Sequence, residues 1–198
     1  MKWWRRAAEQ GNTEAQFQLG DAHRTGRGIE RNDTEAAQWF RLAAESGDPT
    51  AQNNLGSAYL NGCGVLQDQE EAMKWYRLAA DQGDPGGQYN LAALYAEGGD
   101  HELALKLYKL SARQGFGLAC FRLGQMYLTA QGVSQNYVDA YAWSWLAVSY
   151  RHTEAVPILE EISKRLDDAD LARAEDKIRE WRWKPRDDDF LSRARPAE

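Results

Sequence analysis

The chain has 198 residues, of which 43% are hydrophobic and 27% charged, and a net charge of −6. That apolar content excludes a disordered chain, and no uncharged apolar run is long enough to cross a membrane. Two cysteines and three histidines exclude a disulfide-dense scaffold or a multi-cysteine zinc module, and an acidic chain without a basic block is a poor binder of nucleic acid or anionic membrane.

The order of elements is set by a repeat. Trp3, Trp39 and Trp75 are spaced by 36 residues, as are Gly11, Gly47 and Gly83, Gln16, Gln52 and Gln88, and Leu19, Leu55 and Leu91. The segments read RRAAEQGNTEAQFQLG, RLAAESGDPTAQNNLG and RLAADQGDPGGQYNLA, and a fourth, KLSARQGFGLACFRLG, follows the third by 32 residues because its loop is shorter. The chain starts in the second helix of a unit, at Trp3, and Gly26-Arg27-Gly28 is the first turn between helices. Asp48-Pro49 and Asp84-Pro85 are helix starts, because Asp accepts from orphan amides and Pro tolerates the first turn. Between them, Ala51, Leu55, Ala58 and Tyr59 form one apolar stripe and Ala72, Trp75, Tyr76, Leu78 and Ala79 another, at helical spacing, with Gly62-Cys63-Gly64 as the turn. Gly56 and Ala72 are small enough for the two helices to approach closely. Ile29, Val65 and Val133 follow the turns and are expected to plug the gap between helices. Leu159, Ile162 and Leu166, then Leu171, Ala174, Ile178 and Trp181, mark two further helices. A helix pair of this size cannot bury its apolar face alone, whereas stacked copies can.

The pattern A-Q-x-x-L-G-x-x-Y-x-x-G-x-G-V followed by E-A-x-K-W-Y-R-L-A-A-x-Q-G resembles the Sel1-like repeat, a relative of the tetratricopeptide repeat with a longer loop. Residues 51–83 match it almost throughout, and the resemblance runs from residue 3 to about 150. It implies an all-α, right-handed α-solenoid of antiparallel helix pairs over 1–150, with capping helices over 151–183 and a flexible charged tail over 184–198. It also implies a bacterial, non-catalytic adaptor that binds a protein or peptide, with no cofactor. The start departs from the pattern, since the first helix lacks its partner; a fragment, a processed form and an unpaired helix all fit. No signal peptide is visible, which gives a cytoplasmic protein as it stands, or an exported one if an upstream segment was removed. The unpaired face around Trp3, Trp4 and Ala7 offers a route to a homodimer.

Trp39, Trp75 and Trp143 share one register position and are expected to be buried between helix pairs; Trp3 is expected to be less so, and Trp4, Trp145 and Trp183 lie off register. Cys63 and Cys120 read as isolated thiols, and His23 stands where later copies carry Tyr59, Tyr95 and Tyr127. No histidine pair has metal-ligand spacing, and neither G-x-S-x-G nor a P-loop is present. Cysteine-rich relatives are linked to β-lactam binding, which makes a cell-envelope β-lactam-binding hydrolase the alternative function, but no residue here carries that chemistry over.

In tetratricopeptide-type solenoids the first helix of each pair lines the concave face. Around Leu19, Leu55, Leu91 and Leu123, the positions that change from copy to copy are Phe17, Asp21 and Arg24; Asn53, Asn54, Ser57 and Leu60; Tyr89 and Asn90; and Phe121, Arg122, Gln125 and Leu128. A varying set on one face is what a specific binding surface shows. Phe17, Tyr89 and Phe121 are apolar where solvation asks for polar residues, Asn54 and Asn90 suit an extended backbone, and Arg122 suits a carboxylate.

Overall fold

A computed structural model describes residues 2–182. Trp183 and the tail over 184–198 lie outside the described residues. The chain divides into two compact units, Met1–Ser111 and Ala112–Glu198. Among the described residues every regular element is helical, in an all-α solenoid of consecutive packed pairs. The first unit holds α1 (Lys2–Glu9), then the pairs α2 (Thr13–Thr25) with α3 (Asp33–Glu45), α4 (Pro49–Asn61) with α5 (Gln69–Asp81), and α6 (Pro85–Glu97) with α7 (His101–Ala112), whose last residue belongs to the second unit. The second holds the pair α8 (Gly117–Thr129) and α9 (Tyr137–Ser149), followed by α10 (Val156–Ser163) and α11 (Asp168–Trp181), both of which pack on α9.

Local chemistry sets the helix ends. Asp48 and Asp84 accept from the backbone N–H of Ala51 and Gly87 at 2.6 Å, so α4 and α6 start at the two Asp-Pro pairs. Asn12, Asn32 and Asn136 cap α2, α3 and α9 in the same way. Gly26 and Gly62 close α2 and α4 in the left-handed region, a role Ala130 takes at the end of α8 with φ 58°. Gly64 has a second reason to be glycine: besides its φ of +74°, a Cβ there would collide with the backbone of Asp33 and Thr34.

The first two pairs close through a glycine. A Cβ on Gly20 would come within 2.6 Å of the Phe40 ring, and one on Gly56 within 2.8 Å of the Tyr76 ring. Phe40 and Tyr76 therefore pack directly on the neighbouring backbone and are almost wholly buried, at 2% and 1% exposure. The small-residue expectation for Gly56 and Ala72 holds on this contact. The tryptophan expectation does not hold for two of its three members. Trp39 and Trp75 are only half-buried, because each is one helical step, about 100°, away from the inward-facing aromatic. Trp143 is buried, stacked on Trp181 of α11 at 4.4 Å between ring centroids. Ile29, Val65 and Val133 are half-buried.

Buried glutamines join successive pairs. Nε2 of Gln16, Gln52 and Gln88 donates to the carbonyl oxygens of Ala8, Ala44 and Ala80, at 3.1, 3.1 and 3.5 Å. These C-terminal carbonyls also accept from the backbone N–H of Gly11, Gly47 and Gly83 in the closing turn, so the glutamine supplies a second bond to each. Cys120 holds this position in the fourth copy, with Sγ 4.0 Å from the Ala112 oxygen.

Tyr76→Ala is expected to cost about 3–5 kcal/mol of stability, as a fully buried ring over a backbone that cannot collapse inward. Trp75→Ala, at the boundary, should cost about 1–2 kcal/mol. Urea-unfolding midpoints of the two variants measure the difference.

Candidate functional site

In the first unit the varying residues lie on α2, α4 and α6, and in the second on α8. The three aromatic members are half-buried and packed within their own units. Phe17 meets Phe40 at 5.9 Å between centroids, Tyr89 meets Tyr108 at 5.5 Å, and Phe121 meets His152 at 4.7 Å. Leu60 packs on the cluster around Tyr76 and Leu91, and Leu128 is half-buried. These rings and leucines spend their apolar surface internally.

Several polar members are tied to one another. The Asn90 amide donates to the Asn53 side-chain oxygen at 2.8 Å, and Arg122 donates to Gln125 at 3.1 Å. Asn54 donates to the Thr50 carbonyl at 2.8 Å within α4. The Ser57 hydroxyl lies 3.1 Å from the Asn53 carbonyl and 3.0 Å from the Tyr76 hydroxyl. Asp21 is held by Arg24 at 2.5 Å and Arg27 at 2.9 Å.

Three of these residues meet in an open hollow of about 410 Å³. Arg24, Asn54 and Ser57 line it together with Asn61, above buried Ala36, Ala37 and Phe40. An apolar base under polar groups is the ordinary make-up of a ligand cleft. The hollow also contains Cys63, which reads from sequence as an isolated thiol, and Arg31 and Asp33, which sequence reasoning does not single out. Arg31 grips Asp33 through two hydrogen bonds of 3.0 Å. That bond to the guanidinium lowers the Asp33 carboxyl below its ordinary value and raises Arg31. A signal for Arg31 was present: later copies carry Gln67 and Gln135 there, and both donate back to the carbonyls of Leu60 and Leu128 at 2.8 Å. Arginine at that position forms a different contact and puts a charge at the edge of the hollow.

Around the sulfur and imidazole groups the environment differs sharply. Both thiols are free, Cys63 exposed and Cys120 buried, and burial pushes the Cys120 thiol up to about 12. Among the described residues no group of three or more His, Cys, Asp or Glu side chains is placed to hold a metal ion. No described helix is long and apolar enough to cross a membrane. At the start of the chain, Trp3 is 82% exposed and Trp4 44%.

A family model described as the Sel1 repeat matches residues 1–12, 13–48, 49–84, 85–116 and 117–144. Among solved structures, a protective antigen present in uropathogenic Escherichia coli strains, displaying an SLR fold, is 29% identical with a TM-score of 0.85. That match covers 100% of this chain and 44% of the antigen. A Sel1 repeat protein from Oxalobacter formigenes is 29% identical with a TM-score of 0.72, over 76% of this chain and 63% of that one. The chain thus spans less than two thirds of either protein. A putative Sel1 repeat protein from Klebsiella pneumoniae, 22% identical over 82% of this chain and 83% of its own, shares the fold with a TM-score of 0.52. No curated protein matches the chain in sequence.

The two thiols give a direct test of the packing around this surface. With an aromatic disulfide reagent at neutral pH, one thiol, Cys63, is expected to react in the native protein. The second should react only after denaturant opens the helix pair around Cys120. Rapid reaction of both in the native state would contradict the burial.

Proposed function

The chain belongs to the Sel1 repeat family, and on that premise we propose that it is a non-catalytic scaffold whose first-helix hollow takes a peptide segment of a protein partner. Proteins of this repeat fold are commonly protein-interaction scaffolds. The observation that carries the reading is the 410 Å³ hollow, where Arg24, Asn54 and Ser57 come together over Ala36, Ala37 and Phe40. Arg24, Asn54 and Ser57 belong to the set that changes from copy to copy, while Ala36 and Phe40 at its base recur as Ala72 and Tyr76 one period on. An aliphatic side chain of an extended segment fits over the alanines. Its flanking peptide groups then meet Asn54 and Asn61, with the Arg24–Asp21 and Arg31–Asp33 ion pairs at the edge. Of the residues singled out in sequence, this reading keeps Arg24, Asn54 and Ser57 and leaves Phe17, Tyr89 and Phe121 to internal packing.

Selection of a displayed random-peptide library on the full chain tests this. Enriched peptides should share an aliphatic anchor, and an Asn54→Arg, Asn61→Arg double variant should bind them roughly tenfold or more weakly at an unchanged unfolding midpoint. Peptides without a common anchor, or with equal affinity for the variant, would remove the hollow from the function.

A further inference from the structure

A second cavity, of about 360 Å³, lies where the first copy breaks the repeat pattern. In the second and third copies a tyrosine near the end of the first helix accepts a hydrogen bond from an arginine of the preceding helix. Arg41 donates to the Tyr59 hydroxyl at 2.6 Å, and Arg77 to the Tyr95 hydroxyl at 2.9 Å. Stepping back by the period of 36 puts Arg5 in the arginine position and His23 in the tyrosine position. The pair is not rebuilt. His23 is 7% exposed, yet neither ring nitrogen has a partner, and both His23 and Arg5 line the cavity.

A buried polar ring with both nitrogens unmet is costly to keep unless something else meets them. Two other buried groups with an unpartnered atom, Gln16 and Ser144, differ from it. Gln16 lacks a partner only at its oxygen, while its amide is bonded to Ala8. Ser144 is wedged against Gly124, where an added Cβ would lie 2.5 Å from its hydroxyl, so no ligand has room there. At His23 the residue that carries the unmet nitrogens also lines an open volume.

We propose that His23 and Arg5 form a carboxylate-binding site on the first unit. The tyrosine hydroxyl of the later copies is an acceptor for the arginine; a carboxylate oxygen is the acceptor that takes its place here. The guanidinium supplies a fork of donors, and the imidazole supplies an N–H to the same carboxylate. The remaining charges do not stand against this. Arg31 lines the cavity but is paired with Asp33. Asn32 is spent capping Glu35 N–H. Glu35 sits in the first turn of α3, where the helix end offsets its charge, and Glu30 is exposed to solvent. A cation is disfavoured by Arg5. The carboxylate belongs either to an Asp or Glu side chain of a partner or to a chain terminus.

Three capped peptides separate these sources on the full chain: acetyl-Ala-Ala-Ala with a free terminal carboxylate, acetyl-Ala-Glu-Ala-amide, and acetyl-Ala-Ala-Ala-amide. The readout is the His23 imidazole nitrogen resonance, assigned by its loss in His23→Tyr. One or both carboxylate peptides should shift it saturably while the neutral amide does not, and the peptide that acts names the source. Arg5→Gln should weaken the response roughly tenfold. His23→Tyr restores the pairing of the later copies, so it should fold at least as well and lose binding by a second readout, peptide fluorescence polarisation. Should His23→Tyr fold poorly, Arg5→Gln, which alters an exposed helix, decides alone. No saturable shift with either carboxylate would leave the cavity to water, and an equal shift with the neutral amide, or full binding by either variant, would equally overturn the assignment.

Discussion

The close contact of a helical glycine with an aromatic ring governs the first two helix pairs. At Gly20 and Gly56 the backbone of the first helix comes so near the second that only a flat ring fits between them. That contact fixes which way the second helix faces. With Phe40 or Tyr76 on the glycine, the preceding tryptophan is turned to the boundary and the following residue to solvent, where Arg41 and Arg77 reach tyrosines of the next pair. It also fixes the first helix. Ser57, beside Gly56, is drawn to the Tyr76 hydroxyl, and Ala36, Ala37 and Phe40 are left as the base of the neighbouring hollow. The hollow is thus a consequence of small residues demanded by packing, decorated by residues that packing leaves free.

Much of the architecture was legible because it depends on short-range chemistry repeated at a fixed period. Asp48-Pro49 and Asp84-Pro85 act within one turn of their own helices, and the period places a side-chain cap at the start of α2, α4 and α6 and the same leucine in every copy. The tryptophans were misread for the opposite reason. Trp39 and Trp75 share a register position with Trp143, and that recurrence suggests burial. Adjacent residues on a helix differ by about 100° in direction, and Phe40 and Tyr76 match the glycine across the pair. Only the cross-helix partner distinguishes the two positions, and that partner is 20 residues away in sequence.

The candidate site was less legible, because a varying position is a mixture of two things. Some residues vary to meet a ligand and others to meet a neighbour that itself varies. Phe17 belongs with Phe40, Tyr89 with Tyr108 and Phe121 with His152, and none of these pairings is visible in a single register column. Arg24, Asn54 and Ser57 were found because they are polar on a face that packing does not fill. Arg31 was not, because it lies in a loop, outside the helical register used to define the face.

Departures from the repeat can be sorted by whether the molecule compensates for them. At the end of the array Ser144 replaces the aromatic of earlier copies, and Trp143 is buried instead, under Trp181 of the terminal helix. Lys177 reinforces that lid, lying over the Trp181 ring and pairing with Asp139 at 2.8 Å. Cys120 replaces the bridging glutamine and keeps a weak contact with the same carbonyl position. In both places the structure closes around the change. His23 is different, since the tyrosines at its position in the next two copies are bonded, its arginine counterpart is still present, and both line one open cavity. A repeat protein that needed only stability at this point had the solution in its next two copies. An uncompensated change at a framework position, next to a retained cation, is therefore better explained by a contact made outside the chain than by packing within it.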